Sequence, residues 1–234
     1  MLLRIAIDGP GGAGKSTVAK AVAKKLGIIY VDTGALYRTV GLYVARNSVD
    51  PTDEPAVSAL LPELTLRLGY EDGTQVVYMN GERLTDEIRT PQMSMYASHV
   101  SALPSVRAFL LDTQRNIAAQ SSVIMDGRDI GTVILPDAEV KIFITATPEE
   151  RAMRRFRELT EKGKQVTYED VLSEMNTRDS NDSGRKIAPL KPADDAVLFD
   201  NTGYELEGSV ARVIEIIKDK IGKEAFESFK ASLG

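Results

Sequence analysis

Residues 9 to 20 read "GPGGAGKSTVAK" and follow directly on the apolar run Leu2 to Ile7. Gly9, Gly14, Lys15 and Ser16 satisfy G-x-x-x-x-G-K-[ST]. Glycines at these places let backbone amides turn toward an anion, and a helix starting near Lys15 points its positive dipole end the same way. Lys15 neutralises phosphate oxygens, and the Ser16 hydroxyl is placed to ligate magnesium. A tight strand-to-helix turn with no further task needs the small residues but not the lysine. Gly9, Pro10, Gly11, Gly12, Ala13, Gly14, Lys15, Ser16 and Thr17 therefore read as the phosphate-binding segment of a nucleoside triphosphate site, with Ser16 as its metal ligand. The acceptor of that phosphate must be sought elsewhere in the chain.

Outward from the loop, five short apolar runs have the character of buried parallel strands: Leu2 to Ile7, Ile28 to Val31, Ser122 to Met125, Val140 to Thr145 and Ala196 to Phe199. Helical patterns lie between them. From Lys15 to Leu26, Val18, Val22 and Leu26 share a face, and Gly27 is a good stop. At "TPEERAMRRF", Thr147 caps, Pro148 suits the first turn and Glu150 completes a capping box. A last main helix carries Val210, Val213, Ile214, Ile217 and Ile221, and the polar end "SFKASLG" is expected to fray. Strands alternating with helices predict a doubly wound α/β fold, a five-stranded parallel sheet flanked by helices. Residues 64 to 84 break the alternation. Leu64, Leu66 and Leu68 have period two, and Asp72-Gly73 and Asn80-Gly81 are turn signals, so a small antiparallel meander is expected there. Helices open near Pro91 and Pro104 after it. Residues 60–118 then form an inserted lobe, and residues 1–59 and 119–234 the core.

Bulk composition narrows the chemistry. With 234 residues, 43% of them hydrophobic, the chain supports one large core with a smaller inserted lobe. It holds 29 basic and 34 acidic residues, a formal net charge of -5, which argues against non-specific nucleic-acid binding. Cysteine is absent and His99 is the one histidine, which excludes disulfides, thiolate metal sites, cysteine nucleophiles and multi-histidine metal centres. No apolar run approaches the roughly 20 residues of a membrane span, and the chain reads as soluble, cytoplasmic and monomeric.

Four clusters lie where a second substrate would be held. In "VDTGALYR", Asp32 and Thr33 fall at a strand's carboxyl edge, where open parallel sheets bind ligands. One of them caps the next helix, while Arg38 is either a phosphate clamp or a plain surface arginine. In "IMDGRD", Asp126 suits the magnesium-supporting position of a phosphate-loop fold, and Arg128 and Asp129 point beyond it unless they form a structural pair. In "ASHVSALPSVR", Ser98 and Arg107 are either site groups or surface residues, and His99 reads as an ordinary half-buried histidine. In "TRDSNDSGR", Arg178, Asp182 and Arg185 are spaced i, i+4, i+7; they grip a ligand from one helix face, or form an exposed ion-paired face, or Gly184 ends the helix first and leaves Arg185 on a connection. Arg151, Arg154, Arg155 and Arg157 either cover a triphosphate or line a solvated helix.

With the phosphate loop, "DTGALYR", "DGRD" and "RDSNDSGR" in this order and the meander between the second and third strands, the chain resembles the bacterial-type cytidylate kinases over nearly its whole length. The resemblance implies a nucleoside monophosphate kinase fold of core, monophosphate-binding insert and short lid within about 151–186. It implies magnesium-dependent transfer of the ATP γ-phosphoryl group to CMP or dCMP. Carried over by position, the monophosphate clamp falls on Arg38, Arg128 and Arg185, cytosine reading on Ser98, Arg107 and Asp129, and sugar contacts on Arg178 and Asp182. Asp32 and Thr33 match residues lining the acceptor pocket, and Lys15, Arg128, Arg178 and Asp126 stand at the transfer itself. Many members have serine where Gly11 stands. The insert and the 151 to 185 region are expected to close over the substrates and keep water out. A kinase for another nucleotide acceptor, or a nucleotide-dependent switch protein, are the other readings.

Overall fold

The structure is a computed structural model that describes residues 2–232 apart from Asp72. In chain order its first elements are β1 (Arg4–Asp8), α1 (Lys15–Leu26), β2 (Ile29–Asp32), α2 (Thr33–Arg46) and α3 (Glu54–Leu60). Next come β3 (Leu66–Glu71), β4 (Thr74–Met79), β5 (Glu82–Leu84), α4 (Pro91–Val100) and α5 (Pro104–Gln120). The chain continues with β6 (Val123–Gly127), β7 (Val140–Thr145), α6 (Pro148–Glu161) and α7 (Tyr168–Ser183), and closes with β8 (Val197–Asp200), α8 (Leu206–Ile221) and α9 (Lys223–Ala231).

Five strands form one sheet in the order β2-β6-β1-β7-β8, and β1 pairs in parallel with both β6 and β7, as β7 does with β8. The fold is the expected doubly wound α/β sheet. β1 is central because its apolar residues Ile5, Ala6 and Ile7 have no exposure on either face. The register sets Ile7 beside Asp126 and Asp8 beside Gly127, so the phosphate loop and the "DGRD" segment leave the sheet side by side. Four strands run one or two residues past their apolar runs, to Asp8, Asp32, Gly127 and Asp200. Ladder hydrogen bonds are made by the backbone, so pairing continues through the polar residue at each carboxyl end. Leu2 does not join β1; it is exposed, and the Leu3 N–H donates instead to Ser122 Oγ at 2.9 Å.

The chain forms two compact units, Met1–Tyr30 with Gln120–Gly234, and Val31–Ala119. The first has a core of β1, β6 and β7 against α1, α8 and α9, with Leu3, Ile5, Val22, Ile142, Val213 and Phe226 at its centre. Its helical pair α6 and α7 has a smaller core of Ala152, Leu159 and Val171. The second unit joins α2, α4 and α5 to the antiparallel sheet β3-β4-β5 around Leu36, Val40, Val57, Val77, Val100 and Leu110. It starts at Val31 rather than at residue 60, because α2 packs on α4 and shares that core. Asn80 and Gly81 have φ of 49° and 83°, the double left-handed turn a two-residue hairpin needs. Gly73, with φ 72°, is in the other expected turn, whose Asp72 lies outside the described residues.

Two local expectations are corrected. Thr147 does cap α6, accepting the Glu150 N–H at 3.3 Å, but Glu150 does not complete a capping box; its carboxylate pairs with Arg154, one turn along the helix. The C-terminal segment is not frayed through Ala231. α9 buries Phe226 and Phe229 in the main core, and an aromatic pair outweighs the polar residues around it. None of the described helices is long and apolar enough to cross a membrane.

Candidate active site

The first unit builds its site at the carboxyl ends of β1 and β6. A Cβ at Gly9 would lie 1.9 Å from the Ile144 carbonyl oxygen, so only glycine lets the loop pass β7 this closely. Gly14 stands in the left-handed region with φ 87° at the N-cap of α1, aiming the helix's first amides into the loop. Lys15 is buried and its Nζ donates to the Pro10 carbonyl at 2.7 Å. Burial, then the nearby Arg128 charge, pushes the Lys15 ammonium well below its usual range, with Asp126 opposing and Arg178 adding to the depression. These cations crowd a space that an anion would relieve.

Ser16 Oγ donates to Asp126 Oδ2 at 2.5 Å, and Tyr30 OH donates to Asp126 Oδ1 at 3.0 Å. A hydroxyl backed by a carboxylate suits a hard divalent cation that keeps water and phosphate oxygens as its other ligands. No group of three or more His, Cys, Asp or Glu among the described residues could hold a metal ion by itself. The donor set fits magnesium brought in with a nucleotide.

Asp182 gathers the arginines. It is 1% exposed and accepts Arg128 Nε at 3.0 Å, is hydrogen-bonded by Arg185 Nη2, and lies 3.9 Å from Arg178 Nε. Against the upward push of burial, the charges of Arg128, Arg185 and Arg178 hold its carboxyl below the ordinary aspartate range. α7 ends at Ser183, so the three residues do not share one continuous helix. Arg185 nevertheless folds back onto Asp182 and its side chain is 5% exposed, which rules out both the solvated face and the detached connection.

The arginine run on α6 divides. Arg151 is buried, donating Nη1 to the Gly11 carbonyl at 3.0 Å and pairing with Asp179 on α7 at 2.6 Å. Arg154 reaches the Asn201 carbonyl at 2.9 Å, and Asn201 in turn donates to the Ala13 carbonyl at 3.0 Å. Arg155 pairs with Glu158, and Arg157 is exposed. Two of the four support the phosphate loop and two belong to the outer face.

The second unit holds the other candidates. Asp32 caps α2, accepting the Ala35 N–H at 2.9 Å through Oδ1, and its Oδ2 accepts Arg38 Nη2 at 2.7 Å. Arg38 Nε is buried with no hydrogen-bond partner among the described residues, a donor left over for a ligand. A Cβ at Gly34 would come within 3.0 Å of Arg38 Nη1, so this glycine makes room for the guanidinium. Thr33 is buried beside them. Ser98 and Arg107 are also buried, which removes the reading of both as surface residues. Arg107 donates to the Ser101 carbonyl at 3.0 Å, with its guanidinium carbon 5.8 Å from the Tyr37 ring centroid. His99 is half-buried, its Nδ1 without a hydrogen-bond partner among the described residues.

Gln75, which no sequence signal marks, brackets the Asp32 backbone. Its Oε1 accepts the Asp32 N–H at 2.8 Å and its Nε2 donates to the Asp32 carbonyl at 3.2 Å. The meander thereby fixes the strand end that carries Asp32 and, through it, Arg38. Gln75→Leu is expected to raise the KM for the acceptor about fivefold while kcat changes by less than about twofold, as loss of one side-chain pairing predicts. Steady-state kinetics checks this; equal loss in both constants would mean a general loosening of the fold.

A Cβ at Gly11 would meet nothing nearer than Arg128 Nη2 at 3.7 Å and Arg178 Nη1 at 3.9 Å. A serine hydroxyl has space here. Gly11→Ser is expected to keep kcat and both KM values within about twofold, since the loop amides hold phosphate without a side chain at this point. A loss beyond tenfold in the same assay would show that Gly11 has a role of its own.

The family pattern of the cytidylate kinases matches residues 5–219. A cytidylate kinase of Caldicellulosiruptor bescii is 48% identical over 95% of this chain and 98% of its own length. Those of Thermosipho melanesiensis and Carboxydothermus hydrogenoformans are 49% and 50% identical, over 94% and 93% of this chain and 99% and 98% of theirs.

Proposed function

The chain belongs to the cytidylate kinase family, and from that premise we propose that it transfers the γ-phosphoryl group of ATP to CMP or dCMP, giving ADP and CDP or dCDP. It is an ATP-dependent nucleoside monophosphate kinase, and the switch reading is not favoured. The observation that carries the proposal is the convergence of cations at the carboxyl ends of β1 and β6, with Arg128 and Arg178 beside Lys15 and Arg128, Arg178 and Arg185 gathered on Asp182. Such a site requires anions.

The phosphate of a nucleoside monophosphate already carries nucleophilic oxygens at neutral pH. No strong base is needed, and the protein's work is alignment and charge neutralisation. The backbone amides from Gly11 to Thr17 and the Lys15 ammonium hold the triphosphate. Ser16, backed by Asp126, would hold magnesium, which neutralises phosphate oxygens when bound. Arg128 and Arg185, with Arg38, clamp the acceptor phosphate, while Arg178 and Asp182 hold its sugar. Asp182 keeps the arginines collected before the substrate arrives, so less conformational entropy is lost on binding. Ser98, Arg107 and Asp129 read the base. The meander with α4 and α5 serves as the acceptor-binding lobe, and α6 with α7, whose Met175 approaches the Gly12 position, serves as the lid. The negative net charge supports a small-molecule acceptor rather than nucleic acid, and the protein is read as a cytoplasmic monomer.

A coupled ADP-release assay with ATP and magnesium against CMP, dCMP, UMP, AMP and GMP tests the proposal. Rapid turnover of CMP and dCMP alone is expected. Turnover of none of them, with slow ATP hydrolysis persisting, would leave the donor site standing and remove the acceptor assignment.

A further inference from the structure

Asp8 is the last residue of β1, directly before the phosphate loop, and is 4% exposed. Its carboxylate binds the segment that follows β6. Oδ1 accepts the Ile130 N–H at 2.7 Å and Oδ2 accepts the Gly131 N–H at 2.8 Å. These are the first two amides of a single wide helical turn, Ile130–Ile134, that follows Arg128 and Asp129. A helical turn leaves its first amides without internal partners, and the aspartate just before it is the residue type that ordinarily caps them. Asp129 occupies that position but makes no side-chain cap, and the cap comes from Asp8 on the neighbouring strand.

We propose that Asp8 is a positioning residue for the acceptor: by capping the Ile130–Ile134 turn in place of Asp129, it holds Asp129 and Arg128 in their substrate-facing arrangement and ties that loop to the strand bearing the donor site. The inference rests on the acceptor roles proposed for Arg128 and Asp129. A tight fit supports it. A Cβ at Gly131 would come within 3.2 Å of Lys141 Cδ and 3.4 Å of Asp8 Oδ2, so the turn has little space to shift.

The charged groups about Asp8 are Lys15 from α1, Asp129 from its own loop, and Lys141 from β7, whose ammonium pairs with Asp195 at 2.9 Å. Burial pushes the Asp8 carboxyl up to about 7; the Gly131 and Ile130 amides oppose this, Asp129 adds to it and Lys15 opposes it. A proton on either oxygen weakens the acceptance of one amide. The cap is therefore fully formed above neutral pH and loosens as pH falls through about 7.

Asp8→Asn is the test, since it keeps the shape but offers one acceptor to two amides. The expected result is a KM for CMP raised about tenfold, with kcat and the KM for ATP within about twofold and a lower ratio of CMP to UMP turnover. Unchanged acceptor kinetics, or equal losses toward ATP and CMP, would overturn the inference. The wild-type protein gives a second reading that needs no variant: the amide proton shifts of Ile130 and Gly131 are expected to titrate together with a midpoint near 7. Flat traces across the neutral range would overturn the cap. If wild type phosphorylates no cytidine nucleotide, the acceptor reading fails, and the amide titration still shows separately whether Asp8 caps the turn.

Discussion

Lys15→Met is expected to lower kcat by about 10²- to 10³-fold, the usual consequence of removing one preorganised charge from a transferring group. The side chain is 5% exposed, and its charge sits among Arg128 and Arg178. Without a ligand that charge is costly, which is why burial and Arg128 depress its pKa. With the triphosphate present the same crowding becomes the attraction that binds and neutralises it. Methionine fills similar volume without the charge, so melting temperature is expected to hold or rise while turnover collapses. Saturating kinetics and a thermal melt of the same preparation check both halves. A variant within a few-fold of wild type in kcat would remove Lys15 from the transfer step.

Asp129→Ala is expected to lower kcat/KM for CMP by about 10- to 100-fold while UMP changes little, so that the preference for cytosine collapses. Cytosine presents an exocyclic amino donor that a carboxylate accepts, whereas uracil presents a carbonyl that it repels. The backbone should survive the change. The Asp129 carbonyl, which alanine keeps, accepts the Val133 and Ile134 amides at 2.9 and 3.2 Å, and Asp8 accepts the Ile130 and Gly131 amides. Competing CMP and UMP in one assay reads the ratio directly. An unchanged ratio would move base reading to Ser98 and Arg107 alone.

What was legible in the sequence follows from how each residue acts. Gly9, Gly14, Lys15 and Ser16 work through a local loop with fixed spacing, so their pattern is visible without a fold. Asp32, Asp126 and Asp129 stand at the ends of apolar runs, where polarity changes abruptly. Asp8 stands at such an end as well, but its carboxylate acts on amides 122 and 123 residues away, beyond the reach of any local pattern. Gln75 and Asn201 bond to backbone groups far along the chain, 43 and 188 residues away, and no spacing rule reaches them. Residue identity alone left Ser98 and Arg107 open between site and surface, and only their burial decides against the surface. The four arginines of α6 could not be sorted by sequence, because their facing depends on where α7 and the phosphate loop lie.

The most direct measurement follows the phosphoryl group itself. ATP labelled at the γ-phosphate is mixed with CMP, magnesium and the protein, and the labelled products are separated. The account predicts label in CDP, formed in step with ADP, and almost none of either with Lys15→Met. Label appearing as inorganic phosphate, with CMP recovered unchanged, would contradict it.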